Sequence, residues 1–141
     1  MEFELQAAVY RYMQAQAALL AMVSGVYDHV PQNERGEPAV AFPYVTIGED
    51  VITNNDCDTH YGVDATLTIH VWSRSEGRAE CKRVQGAIRT ALQAAQLDVA
   101  GWVVDATHML QSSSHMDPDG QTRHGVQTIR VTAWQAKERV L

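Results

Sequence analysis

The sequence predicts an α+β fold: a mainly antiparallel sheet of about five strands with two principal helices packed on one face, in the order helix-strand-strand-strand-helix-strand-strand. Three observations predict it. Two stretches, from Leu5 to Val23 and from Cys81 to Ala95, carry apolar residues at helical spacing. Most of the remaining apolar runs alternate with a period of two, and the links between them are turn-rich and of meander type.

In the first helix Leu5, Ala8, Val9, Tyr12, Met13, Leu19, Leu20 and Val23 form the stripe, and the polar Gln16 interrupts it, which predicts a break around Ala15. Gly25 follows where a left-handed C-cap residue is favoured. Val26 to Val30 alternates up to Pro31 and reads as a short strand. Pro31 to Pro38 is polar with a proline at each end, a loop before the strand Tyr44 to Gly48. From Glu49 to Gly62 the chain is poor in apolar residues and reads as a long hairpin connection, a kind of loop that is usually functional or disordered. Ala65, Leu67, Ile69 and Val71 then occupy one strand face, and Thr66, Thr68, His70 and Trp72 the other.

Ser73-Arg74-Ser75-Glu76 fits a capping box, with Ser75 as a competing N-cap. The helix behind it buries Cys81, Val84, Ala87, Ile88, Ala91, Leu92 and Ala95, turns Arg78, Lys82, Gln85 and Arg89 outward, and ends near Leu97. Trp102 to Leu110 and Gly125 to Trp134 form a terminal hairpin. Their connection contains Asp117-Pro118-Asp119-Gly120, suited to a type I turn with a left-handed exit.

The chain has 141 residues, 45% of them hydrophobic. A chain of that size buries about two-thirds of its unfolded surface, so one domain over residues 1–141 is expected without metal or disulfide staples. Asp+Glu 17 outnumber Lys+Arg 11 for a formal charge of -6, which argues against gripping nucleic acid phosphates. Any relationship to DNA is then passage. Cys57 and Cys81 are the only cysteines, so a reducing compartment is expected. No segment approaches the roughly 20 apolar residues that span a bilayer, and Met1-Glu2-Phe3-Glu4 has the wrong charge for the start of a signal peptide. A soluble product made in the cytosol follows.

Candidate chemistry is sparse. Cys57-Asp58-Thr59-His60 has the spacing of half a zinc site, but there is no second half. His108, His115 and His124 could approach one another across the final hairpin, yet histidines at turn edges are usually solvated or hydrogen-bonded, and no recognisable metal ligand set results. Ser112-Ser113-Ser114-His115 places hydroxyls beside an imidazole without the third group or oxyanion hole that a triad needs. Asp117 to Gly120 lacks the further acidic positions of a calcium loop, and the glycines are too scattered for a phosphate cradle. No catalytic residue, metal or cofactor is expected.

Two features stand out as interface candidates. The strand face bearing His70 and Trp72 gains Arg130, Thr132 and Trp134 if the last strand keeps Ile129, Val131 and Ala133 inward. Such a face is either an interaction surface, since interfaces are enriched in Trp, Tyr and Arg, or locally satisfied packing under the helices. The second feature is charge segregation. No Lys or Arg occurs between Arg35 and Arg74, where Glu49, Asp50, Asp56, Asp58 and Asp64 cluster, and Arg74, Arg78, Lys82, Arg83 and Arg89 follow directly. These are two solvated faces, or an acidic hairpin of one copy lies against the basic helix of the next around a closed axis.

The motifs Val26-Tyr27-Asp28-His29-Val30-Pro31, Phe42-Pro43-Tyr44-Val45-Thr46-Ile47-Gly48-Glu49 and Leu67-Thr68-Ile69-His70-Val71-Trp72-Ser73, with Gly77-Arg78-Ala79-Glu80 and the ending Asp117 to Gly125, resemble the tail-completion (tail-to-head joining) family of long-tailed bacteriophages. The resemblance runs from about Leu5 to Ala133. It implies a structural virion protein, made in the bacterial cytoplasm, that forms a ring, typically a hexamer, at the head-proximal end of the tail. Its partners would be copies of itself, the tail tube protein and the head connector, with DNA passing through unbound. It implies no catalytic residue. Glu49 to Gly62 and Gln111 to Arg123 are the candidate docking loops. A domain binding a small molecule or protein on the Trp72, His70 and Trp134 face is the alternative, and a hydrolase using Ser114 and His115 ranks below both.

Overall fold

The structure, a computed structural model, describes residues 1–93 and 95–138. Its elements are α1 (Glu2–Gln14), α2 (Ala17–Leu20), β1 (Val26–Tyr27), β2 (Tyr44–Asn54), β3 (Gly62–Ser73), α3 (Ala79–Leu92), β4 (Trp102–Met116) and β5 (Arg123–Gln135). The expected α+β class is the observed one, with a single five-stranded sheet in the order β1-β2-β3-β5-β4. All pairings are antiparallel except β1 with β2. Leu5, Val9 and Met13 of α1, Leu19 of α2 and Val84, Ile88 and Leu92 of α3 meet Val45, Ile47, Ala65, Leu67, Ile69, Val71, Ile129 and Val131 in one core. The helices thus cover one sheet face and leave the other open. No helix among the described residues is long and apolar enough to cross a membrane.

The break in the first helical stretch falls where the polar residue predicts it. Gln16 takes an extended conformation, and its side-chain amide donates to the Tyr12 carbonyl at 3.0 Å, replacing the helical bond that carbonyl would otherwise receive. The first strand is shorter than its alternation suggests, Val26–Tyr27 instead of Val26 to Val30, and it runs parallel to β2. With Val26 buried on the helix side, a further paired residue would turn the Asp28 carboxylate toward the core, so pairing stops.

Four other expectations are corrected. Glu49 to Asn54 is not loop but the second half of β2, paired with β3 beyond a register shift between Ile47 and Asp50. An edge strand needs no apolar alternation when both its faces reach water, so composition hid it. The connection shrinks to residues 55–61. The capping box does not form: Ser73 ends β3, its hydroxyl donates to the Glu80 carboxylate at 2.7 Å, and α3 starts at Ala79 after Arg78 with no side-chain cap. Pairing with Arg123 holds Ser73 in the sheet and removes it from the helix terminus. The helix itself ends at Leu92. Ala95, Leu97 and Val99 are buried beyond it with Gln96 and Asp98 exposed, an alternation belonging to extended chain.

Last, β4 continues through Ser112 to Ser114 to Met116, so Gln111 to Arg123 is mostly a two-stranded arm with a short turn. Backbone pairing with β5 supplies the partners that the polar side chains cannot. The turn has the predicted form: the Gly120 amide donates to the Asp117 carbonyl at 3.0 Å, and Gly120 has φ +74°. The Asp119 carboxylate accepts from the Thr122 hydroxyl and from the amides of Gln121 and Thr122. These bonds, the hydroxyl first, hold its carboxyl below the usual range. A depressed carboxyl contributes order that is fully present above the unfolded value, about 4, and is lost as pH falls through the lower folded value. Amide exchange at Gln121 and Thr122 is expected to quicken on acidification through that window, beyond the change in intrinsic exchange. Asp119→Asn should be fast throughout and lose the pH dependence; an unaltered profile would contradict the assignment.

Candidate functional site

The open sheet face is built by the outward residues of β3 and β5, which the register sets side by side: Trp72 opposite His124, Thr68 opposite Thr128, Thr66 opposite Arg130 and Gly62 opposite Trp134. Ile129, Val131 and Ala133 are fully buried on the other side, so Arg130, Thr132 and Trp134 do join the face of His70 and Trp72.

One end of this face is an aromatic and imidazole stack. The Trp72 ring lies 3.9 Å from the His124 ring at an interplanar angle of 14° and also stacks with Tyr44 and His70. Its indole N–H donates to the Thr46 hydroxyl at 3.0 Å. Trp72 is therefore satisfied laterally, by neighbours on the open face and not under the helices. His70 bridges His124 (Nδ1 to Nε2, 2.6 Å) and Glu49 (Nε2 to Oε2, 3.1 Å). Gly48 makes that reach possible, since a β-carbon there would lie 2.6 Å from His70 Nε2. The Glu49 carboxyl is held below its usual range by a backbone hydrogen bond and then by His70. His124 is pushed down by burial and by His70, with Asp117 pulling the other way.

Midway along the face Arg130 and Asp64 form a two-bond ion pair, Nε to Oδ1 at 2.7 Å and a shorter Nη2 to Oδ2 contact, which lowers the Asp64 carboxyl and raises the guanidinium. At the far end Trp134 lines a shallow depression with Cys57, His60 and Val103. Ten residues of strand separate the Gly62 and Trp72 positions, about 33 Å at the usual rise. Trp72 and Trp134 cannot touch one small ligand, so the small-molecule platform built on both of them with His70 is removed. Ser114 and His115 are adjacent on β4 and point to opposite faces, which removes the nucleophile and base reading as well.

The charged candidates separate into two groups. Arg78, Lys82 and Arg89 on or beside α3 are exposed, and none has a carboxylate within ion-pair distance among the described residues; Arg89 donates to the Ser112 hydroxyl at 3.1 Å. The acidic group is less of a cluster than its spacing suggests. Glu49 and Asp50 lie on edge strand β2, whereas Asp56 and Asp58 lie at the β2–β3 tip, where Asp56 accepts from the Gly62 amide at 2.9 Å. Sequence reasoning missed two features. The strand order, with β1 pairing only Val45 and Thr46, leaves β4 and the second half of β2 as free edges, and these carry the exposed Val51, Val103 and Leu110. On α1, Phe3 is 79% exposed and with Tyr10 borders a surface depression; its position outside the helical stripe was the available signal.

A sheet with one open face, two uncovered edges and unpaired charge of both signs on separate elements defines an assembly module, a chain whose surfaces suit other protein chains. Residues 7–133 match the family described as tail completion protein gp17, and the chain belongs to that family. It is a phage tail structural protein, and the virion tail is its location. A curated relative, tail completion protein gp17 of Bacillus phage SPP1, is 27% identical over 128 residues, 91% of this chain and 90% of the relative. Among solved structures, a chain in the virion of a native gene transfer agent particle superposes with a TM-score of 0.82 at 25% identity, covering 92% of this chain and 94% of that one. The structure of bacteriophage SPP1 gp17 gives 0.55 at 25% identity, covering 92% and 87%.

Proposed function

We propose that copies of this chain close into a ring, a hexamer when assembled, at the head-proximal end of the tail, ending the tail tube there and joining it to the head connector. The observation that carries the reading is the unmatched charge. Arg78, Lys82 and Arg89 on one side and Asp50 and Asp58 on the other have no intrachain ion partners among the described residues. A head-to-tail contact repeated around an axis places one group against the other and leaves no copy unsatisfied. The likeness to a chain of a virion particle over nearly the whole length supports the same role.

The β2–β3 tip at residues 55–61 and the β4–β5 turn at residues 117–122 lie at opposite ends of the sheet. One is suited to the tube and the other to the connector. The formal charge of -6 suits a lumen through which DNA moves without being held, because few cations are available to displace its counterions. The chain acts through surfaces and carries out no catalysis.

Disrupting the gene in an otherwise intact phage tests the reading. Filled heads without tails beside unjoined tails are expected in electron micrographs, with infectivity restored by the gene in trans. Overlong tubes would locate the role in termination, and tails of normal length in joining alone. Infectious particles of ordinary morphology from the disrupted phage would sink the proposal.

A further inference from the structure

The final hairpin brings His115 and His124 directly opposite each other on one face, with Asp117 two residues beyond His115. The third histidine that the sequence offered, His108, sits instead opposite Arg130. Asp117 Oδ1 lies 3.3 Å from His124 Nδ1 and 3.5 Å from His115 Nε2. Donors about 2.1 Å from a common centre at tetrahedral angles stand about 3.4 Å apart, so both contacts have the length of an edge of a zinc coordination polyhedron. The ligand atoms of the three residues all fall within 4.8 Å of one another. The remaining edge, between the two imidazoles, would be closed by rotation of the half-exposed His115 ring.

A proton count points the same way. Glu49, His70, His124 and Asp117 form a chain of three contacts: Oε2 to Nε2 at 3.1 Å, Nδ1 to Nε2 at 2.6 Å, and Nδ1 to Oδ1 at 3.3 Å. Each contact needs one positive bridge between two lone pairs. Two neutral imidazoles bring two protons, so one contact stays acceptor against acceptor until a further cation is supplied. If Glu49 receives the proton of His70 Nε2, and His70 Nδ1 receives that of His124 Nε2, the bare lone pair is His124 Nδ1. It faces Asp117, with His115 alongside.

We propose that His115 Nε2, Asp117 Oδ1 and His124 Nδ1 bind a divalent transition-metal ion of the zinc type. Two imidazoles and one carboxylate suit such an ion better than calcium or magnesium, which favour oxygen donors. His124 and Asp117 are held in the face with side-chain exposures of 15% and 22%, and a water would complete a tetrahedral set. His70 and Glu49 are positioning residues: the hydrogen bond to His124 Nε2 sets its tautomer and orientation, a role that outer groups commonly play around metal-bound histidines. The ion would tie the β4–β5 arm, through this chain, to β2.

The test uses the full chain, stripped with a chelator and titrated with Co²⁺ and then Zn²⁺. One Co²⁺ per chain with the visible absorption of a tetrahedral site, displaced by Zn²⁺, is expected. His115→Ala and Asp117→Asn should each weaken binding at least tenfold, and Glu49→Gln, which removes no ligand, about tenfold. His115 and Glu49 are exposed, so these two variants keep the test independent of folding. Absent binding, or affinity indifferent to His115→Ala, would overturn the site. So would ring-nitrogen NMR showing His124 doubly protonated at neutral pH with Zn²⁺ present, because a proton would then hold the third position.

Discussion

Gly62→Ala is expected to destabilise the chain by about 3 kcal/mol, at the upper end of the range for overpacking a tight site. Gly62 is buried at the start of β3, and a β-carbon there would collide with the Asn55 carbonyl oxygen and lie 2.7 Å from the Trp134 ring. The backbone cannot easily withdraw. The Asn55 amide donates to the Gly62 carbonyl at 2.8 Å, and the Gly62 amide donates to Asp56 at 2.9 Å. Relief requires breaking the tip bonds or pushing Trp134 off the sheet end. With a urea dependence near 2 kcal/mol/M, the midpoint should fall by about 1.5 M. An unchanged midpoint would mean that the tip relaxes freely, and it could not then serve as a preformed docking element.

Reversing Arg78, Lys82 and Arg89 together to Glu is expected to abolish ring assembly while leaving the isolated chain folded. All three are exposed and have no carboxylate partner among the described residues, so chain stability should change by no more than about 0.5 kcal/mol per substitution. Across a subunit contact the same changes set like charges against Asp50 and Asp58, an arrangement that costs several kcal/mol, so assembly affinity should drop at least about 100-fold. Restoration by Asp50→Lys and Asp58→Lys in the same chain would tie the loss to this pairing. Elevated salt should weaken the wild-type ring in the same direction. Assembly of the reversed chain at wild-type concentration would remove the electrostatic contact from the proposal.

Where burial enforces a pattern, the residues were readable. Ala65, Leu67, Ile69 and Val71 alternate because one side of β3 meets helices, and Val84, Ile88 and Leu92 recur at helical spacing because one side of α3 meets the sheet. The same rule accounts for the failures. The second half of β2 and Ser112 to Ser114 of β4 are strand because a neighbouring backbone offers hydrogen bonds, and backbone pairing leaves no mark on side-chain composition. Ser73 and Glu76 satisfy the spacing of a capping box, yet the sheet claims Ser73 and Glu80 claims its hydroxyl.

From the sequence alone came the fold class, the inward faces, the turn at Asp117 to Gly120 and, through ordered motifs, the family. These depend on local spacing and on which side chains avoid water. Tertiary structure alone decided that Trp72 stacks on His124, that Trp134 lies at the other end of the face, and that His70 and His124 stand between Glu49 and Asp117. The reason is register: residues 54 apart in the chain become neighbours only when β3 and β5 pair in one particular alignment, and that alignment is chosen by the whole buried face together.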